Sequence, residues 1–384
     1  MVKVLHILEA LTGGTARHVA DIVASAQGVE HVVMVPPDRV GDVTDHVAVE
    51  QIRAAGGQVH VVDMRRMPVH PANARALATA SRLVASDGVD VLHGHSSIGG
   101  VIARVVARRR RLPVVWTPNG VMTSRPVVAI ERFLGRHTDA VVAVSPSESE
   151  LLTRLGIATG DRLVMIPNAI DITPAADGTD LRQLVGVPAG VPIVGNISRL
   201  VFQKAPLDFV EVCRRVAETR PDVHFVLIGD GKLSDEVDAA VAAWDHDGRF
   251  HRLRALPNAA RVLGQMNVFV LTSRYEGAPY AALEAMREGV PMVLTRVVGS
   301  EDLVSHGETG LLCEAGDLPG MSEVIHDILD NSKKSEQLAK RARELLVSAY
   351  DVRLFGEAHQ RLYERLGRDR GEHSGLRGPA GAPG

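Results

Sequence analysis

Val268-Phe269-Val270-Leu271-Thr272-Ser273-Arg274-Tyr275-Glu276-Gly277-Ala278-Pro279-Tyr280-Ala281-Ala282-Leu283-Glu284-Ala285-Met286 passes from an apolar run through a polar loop into a helical stretch. Its opening run is continuously apolar, the pattern of a strand buried on both faces in a parallel sheet covered by helices. A short polar loop follows, and Pro279 suits the first turn of a helix that carries Glu284 in its body. The same order, a β-branched run and then a helical stretch, recurs in both directions along the chain. Upstream the runs are 2–7, 32–35, 59–62, 89–93, 114–117, 140–144 and 163–166, then 193–197 and 224–228. Downstream there is 292–295. These imply two doubly wound α/β domains of the Rossmann-like kind, 1–172 and 191–351, facing a cleft. Loop-like residues over 173–190 read as a linker. Residues 352–366 place apolar side chains at helical spacing for packing on one or both lobes. The Gly-, Pro- and charge-rich 367–384 reads as a disordered tail.

Length agrees with two domains, since 384 residues exceed what one hydrophobic core accommodates. Lys and Arg total 43 against 46 for Asp and Glu, a formal charge of −3 that gives no global attraction to nucleic acid or an anionic membrane. Any membrane association is expected to be peripheral, and the chain to be a monomer or homodimer. The two cysteines, Cys213 and Cys313, lie in apolar segments and fit a reducing compartment. No stretch reaches the roughly 18 apolar residues of a transmembrane helix. The N-terminal run leads into Gly13-Gly14 and not into a cleavage site, so a cytoplasmic location is expected.

In doubly wound domains ligands bind beyond the carboxyl ends of strands, so the post-strand loops carry the chemistry. Glu276 and Glu284 stand eight residues apart, flanking a helix start whose backbone N–H groups can take a phosphate. Phosphate in the middle and carboxylate acceptors for hydroxyls at either side describe a nucleotide-sugar site. Ordinary solvated helix acids are the alternative. After the strand at 193–197, Arg199 and Lys204 form a cationic pair able to stabilise a departing diphosphate without a metal. Taken alone, such cations are more often surface charges.

Three further clusters have structural and functional readings. His93 and His95 alternate at a strand end; without a third ligand nearby in sequence they read as structural or acceptor-lining, not as a metal site. Asp245-His246-Asp247 follows a helix, so it reads as a turn and not as a metal-binding D-x-D. Arg108 to Arg111 end a helix and suit its negative C-terminal dipole, with an anionic acceptor or a membrane surface as the functional alternatives.

Together these segments resemble the retaining family 4 glycosyltransferases of the GT-B fold. The matching stretches are Arg199 to Lys204, Gly229-Asp230-Gly231, the E-x7-E pair Glu276 and Glu284, and Gly307 to Leu312. In the first half, Thr12-Gly13-Gly14, Asp90 to Ser97, Val141 to Ser149 and Pro167 to Asp171 also fit. The resemblance implies that Glu276 holds donor-sugar hydroxyls, Glu284 the ribose, and Arg199 and Lys204 the diphosphate. Backbone N–H groups of Gly277, Ala278, Pro279-Tyr280 complete the phosphate cradle, Pro279 itself lacking one. Gly13 and Gly14 allow close backbone approach, and Arg254 and Leu256 sit near the base. His93, His95, Ser96 and Asn119 fall on the acceptor side. Three departures stand out. Asn119 replaces a histidine, which removes titration near neutral pH. Val298 replaces a glycine in the sugar-contacting loop. Ala205 and Ala169 replace further glycines.

No Ser-His-Asp or Cys-His arrangement declares a nucleophile. The resemblance therefore implies retention through same-face departure and attack, with no metal or other cofactor required. It implies transfer of a hexose or deoxysugar from a UDP-, dTDP- or GDP-sugar to a hydrophilic acceptor, in surface polysaccharide or antibiotic biosynthesis. Asn119 and Val298 suggest a deoxysugar donor. A GT-B epimerase or hydrolase and a non-catalytic nucleotide-sugar-binding protein are the alternatives. A dinucleotide oxidoreductase is disfavoured, since Thr12 to Ala16 lacks the G-x-G-x-x-G spacing.

Overall fold

The computed structural model describes residues 1–11, 14–37, 46–67, 69–175, 178–254, 256 and 258–375. The chain divides into two compact units, Met1–Asn168 with the segment from Val352 onward, and Ala169–Asp351.

In the first unit the elements run β1 (Val2–Leu8), α1 (Gly14–Ser25), β2 (Val29–Val35), α2 (His46–Ala54), β3 (Gln58–Val61), α3 (Pro71–Asp87) and β4 (Val91–His95). They continue α4 (Ser96–Arg110), β5 (Val114–Thr117), α5 (Arg125–Gly135), β6 (Ala140–Ala143), α6 (Pro146–Arg154) and β7 (Leu163–Met165). Among the described residues these strands make one seven-stranded sheet in the order β3-β2-β1-β4-β5-β6-β7. Each neighbouring pair is parallel. Strands β4, β5 and β6 are buried throughout, β5 and β6 as their largely apolar runs require and β4 although it carries His93 and His95.

The second unit contains α7 (Leu181–Val185), β8 (Ile193–Ile197), α8 (Pro206–Thr219), β9 (His224–Ile228), α9 (Ser234–Ala242), β10 (Phe250–Leu253) and β11 (Val268–Leu271). It ends with α10 (Tyr280–Glu288), β12 (Met292–Arg296), α11 (Ser300–Leu303), β13 (Leu311–Glu314), α12 (Leu318–Asp330) and α13 (Ser332–Ala349). Among the described residues its sheet is six-stranded, parallel and ordered β10-β9-β8-β11-β12-β13. The strand order reverses between β1 and β4 in the first sheet and between β8 and β11 in the second. Those two switch points are where doubly wound folds open a crevice for ligands.

Two domain boundaries differ from expectation. The proposed linker 173–190 belongs to the second unit, where Leu181 and Val187 join the core beside Ile193 and Phe269. Asp180 caps α7 through the Gln183 N–H, so these few apolar anchors sit on a formed turn of helix. The final helix, α14 (Val352–Gly375), packs against α1, β1 and β4 of the first unit and runs past residue 366. Helical structure thus replaces the expected tail over 367–375, and 376–384 lie outside the described residues. No helix among the described residues is long and apolar enough to cross a membrane.

Candidate functional site

At the switch point of the second unit, the loop after β8 meets the loop after β11. Lys204, at the end of a short 3-10 turn, places Nζ 2.5 Å from Glu276 Oε1. Ser273 Oγ donates to the same oxygen at 2.6 Å. Both side chains are largely buried, 17% exposed for Lys204 and 5% for Glu276, so the pair is shielded from screening by water. Both contacts fall on Oε1. Among the described residues this leaves Oε2 as the carboxylate oxygen for an incoming hydroxyl.

Backbone bonds fix this geometry. Arg274 N donates to Gln203 O and Gln203 Nε2 to Tyr275 O, tying the two loops together. Thr272 Oγ1 donates to Ala205 O, and Thr295 Oγ1 to Ser273 O. From the next strand, Val298 O accepts from Glu276 N, while Gly299 adopts φ +85°. A Cβ on Gly299 would lie 2.5 Å from Gly277 O, so glycine is required both for the turn and for the close approach. Gly231 sits as tightly against Leu200 O, locking the Gly229-Asp230-Gly231 loop beside Arg199. Arg199 itself is exposed on that rim.

Pro279 takes the N-cap position of α10 and not its first turn, and it offers no side-chain acceptor there. The early N–H groups of α10 thus meet no cap from that residue and stand beside the Gly277-Ala278 backbone. Glu284 lies in the second turn of α10, half-buried. The other expected donor contacts lie on other elements. Arg254 follows β10 and pairs with Asp238 at 3.1 Å. Leu256 packs against the second unit's core, which makes it a support and not an open contact. Gly13 lies outside the described residues, and Gly14 is the exposed first residue of α1.

In the first unit, Ser96 and Asn119 hold the carboxyl ends of β4 and β5 with left-handed φ values of +58° and +52°. Such values are uncommon outside glycine and concentrate at functional turns. Trp116 Nε1 donates to Ser96 O, and Glu148 accepts from Gly120 N to hold the Asn119 turn. Asn119 Nδ2 is buried without a hydrogen-bond partner among the described residues, a donor waiting for an acceptor. Glu9, after β1, escapes sequence reading. It is 3% exposed, accepts from Gly99 N at 3.0 Å, and burial raises its pKa above the usual carboxylate range. Its only signal in the sequence is an acid directly after a buried strand.

His93 and His95 are a correction. Both are fully buried and do not line an acceptor surface. The β1–β4 register sets His6 beside His93, and α14 adds His359 and Tyr363 to the pocket. His93 bonds Tyr363 Oη at 2.7 Å and Thr117 Oγ1 at 2.8 Å. His6 bridges His95 and His31 at 3.1 and 3.0 Å. The ligand atoms of His6, His93 and His95 lie within 4.8 Å of one another, and Nδ1 of His95 is buried without a hydrogen-bond partner among the described residues. Burial, chiefly, keeps the rings neutral, with His18 and His31 lowered to about 4 and His359 to about 3.

Asp245 accepts from Arg249 N and Phe250 N at the start of β10, the turn expected of it. Arg108, Arg109 and Arg110 form the last turn of α4, as expected of a helix end.

Two family descriptions match, one on each half: "Glycosyltransferase Family 4" over residues 12–173 and "Glycosyl transferases group 1" over 178–345. The chain belongs to glycosyltransferase family 4. An Escherichia coli UDP-Gal:alpha-D-GlcNAc-diphosphoundecaprenol alpha-1,3-galactosyltransferase is 26% identical over 72% of this chain and 76% of its own. A Streptomyces fradiae 2-deoxystreptamine N-acetyl-D-glucosaminyltransferase is 27% identical over 65% of this chain and 61% of its own. The solved structure of Anabaena Alr3699/HepE with UDP and glucose superposes with a TM-score of 0.80 at 20% identity, covering 96% of this chain and all of that one. The protein is therefore a glycosyltransferase of the GT-B type, with two parallel-sheet Rossmann-like domains.

Proposed function

We propose that this glycosyltransferase transfers a hexosyl or deoxyhexosyl group from a nucleoside diphosphate sugar to a hydroxyl of a hydrophilic acceptor, with retention. The Lys204–Glu276–Ser273 constellation at the second unit's switch point carries the reading. Lys204 and Arg199 hold the diphosphate and stabilise the charge that develops as the glycosyl bond breaks. The N–H groups at the start of α10 add to that stabilisation. Glu276 accepts from sugar hydroxyls through Oε2, and Glu284 from the ribose. A nucleotide's arrival draws Lys204 Nζ toward phosphate, so the ligand-free ion pair is a neutral resting state of the site.

The two cations supply what a divalent ion otherwise would, so the reaction needs no metal. On the acceptor side, Asn119 and Ser96 bind hydroxyl oxygens, and the leaving diphosphate takes the acceptor proton. Relatives named for GlcNAc-diphosphoundecaprenol and for 2-deoxystreptamine support acceptors of either kind.

The test is a matrix of UDP-, dTDP- and GDP-sugars against saccharide-diphospholipid and aminocyclitol acceptors, with and without EDTA, followed by NMR of the anomeric centre. Product with retained configuration and unchanged rate in EDTA is expected. Inversion, loss of rate in EDTA, or donor consumption without acceptor in folded protein would contradict the proposal.

A further inference from the structure

Helix α5 presents three stripes to its surroundings. Val128, Glu131 and Gly135 form the buried one, with Glu131 paired to buried Arg104 and Gly135 pressed against Ile157 O. At 3.6 residues per turn, Pro126, Ile130, Phe133 and His137 fall within about 60° of one another on the opposite side. Ile130 is 54% and Phe133 60% exposed, and Met122, just before the helix, 55%. Arg125, Arg132 and Arg136 form a third stripe beside the apolar one, all exposed. An apolar row facing solvent, opposite a helix's own core-packing face, has no role in folding the unit.

The basic stripe does not end with the helix. Arg108 and Arg111 from the end of α4, Arg136 and His137 from the end of α5, and Arg162 before β7 line one open concavity. Arg162 is fixed there by a bond from Nη1 to Gly135 O, and Arg132 is held by Leu155 O. Asp139 and Asp161 are the acids at this edge, and Asp139 is already engaged by Val114 N. In a chain of net charge −3, this is a local concentration of positive charge beside exposed aromatic and aliphatic side chains.

We propose that this face of the first unit docks on an anionic lipid surface, with Ile130, Phe133 and Met122 entering the headgroup–acyl boundary and the arginines contacting lipid phosphates. Charge alone would suit any polyanion; the apolar stripe alongside selects a bilayer. Helix α5 begins six residues after Asn119, so docking brings the acceptor-side loop to the lipid surface. The inference rests only on the first unit and stands whether or not the donor site is read correctly.

The experiment is flotation of the purified full chain with phosphatidylcholine vesicles, with and without phosphatidylglycerol. Binding to the anionic vesicles alone is expected. Arg111→Glu and Arg136→Glu should each lower the partition coefficient about fivefold or more. Ile130→Ser with Phe133→Ser should lower it about tenfold. All four positions are exposed, so unchanged melting temperatures verify folding. No flotation of folded wild-type protein would overturn the proposal. So would dextran sulfate binding as tight as vesicle binding and indifferent to the serine pair, which marks a soluble polyanion. Self-association that the serine pair abolishes, without vesicle binding, would assign the stripe to a second copy of the chain.

Discussion

At the carboxyl half of β4 in the first unit, the buried polar side chains are His93 and His95, each surrounded by other rings and hydroxyls. After β11, which occupies the corresponding place across the switch point of the second unit, they are Ser273 and Glu276, met by a cation from the neighbouring loop. The histidines bond to groups whose positions the fold already fixes, and α14 covers them. Glu276 shares one oxygen with Lys204 and Ser273 and keeps the other available. What separates the two places is access: α14 closes over the histidines, of which His93 is bonded on both ring nitrogens and His95 keeps Nδ1 without a partner among the described residues, whereas Glu276 stands between two loops beyond its strand's carboxyl end.

The largest effect separating the two units should come from acid. His6, His18, His31, His93, His95 and His359 are held neutral in the fold, whereas the unfolded chain protonates them near pH 6.5. Below that pH the unfolded state binds more protons. Stability is therefore complete above pH 6.5 and falls as pH drops toward about 4, by roughly 1 kcal/mol per histidine for each unit. Hydrogen exchange at pH 7 and pH 5 should show β1 and β4 losing protection ahead of β8 and β11. Equal loss in both units would remove the distinction.

Next in size is Glu276→Gln, which keeps the shape but removes the charge. We expect kcat to fall about 10²–10³-fold with the melting temperature nearly unchanged, read by steady-state kinetics on an accepted donor. Lys204→Met should raise the donor KM about tenfold and also cost about 1–3 kcal/mol of stability in denaturant titration, because Glu276 is left buried without its cation. A KM unchanged by this substitution would detach the pair from the donor. The smallest effect is a gain. Ala205 sits at φ +45°, which a side chain disfavours, so Ala205→Gly should stabilise the second unit by about 0.5–1 kcal/mol.

What the sequence made legible follows the same physics. Strands β5 and β9 were readable to the residue because they are largely apolar runs inside their sheets, and β8 was readable as well although Gly195 and Asn196 interrupt it. β10 was not, because His251 and Arg252 break its apolar run, and neither was β13, whose apolar run Leu311-Leu312-Cys313 is only three residues long. Residues 173–190 read as a linker because Leu181 and Val187 are too few to form a periodic pattern. Lys204 and Glu276 were found as post-strand charges. Ser273 and Glu9 were not, since their roles depend on which atom a neighbouring loop presents. The histidine cluster was invisible beyond His93 and His95. It assembles His6 and His359 from opposite ends of the chain through the β1–β4 register and the docking of α14.

Calorimetric titration of UDP, dTDP, GDP and ADP into the wild type and Arg199→Ala tests whether the loops after β8 and β11 form a nucleoside diphosphate site. Saturable binding of one diphosphate, weakened at least tenfold by the substitution in a protein of unchanged melting temperature, is the predicted result. No binding of any of the four by folded wild-type protein, or binding indifferent to Arg199→Ala and Lys204→Met alike, would contradict it.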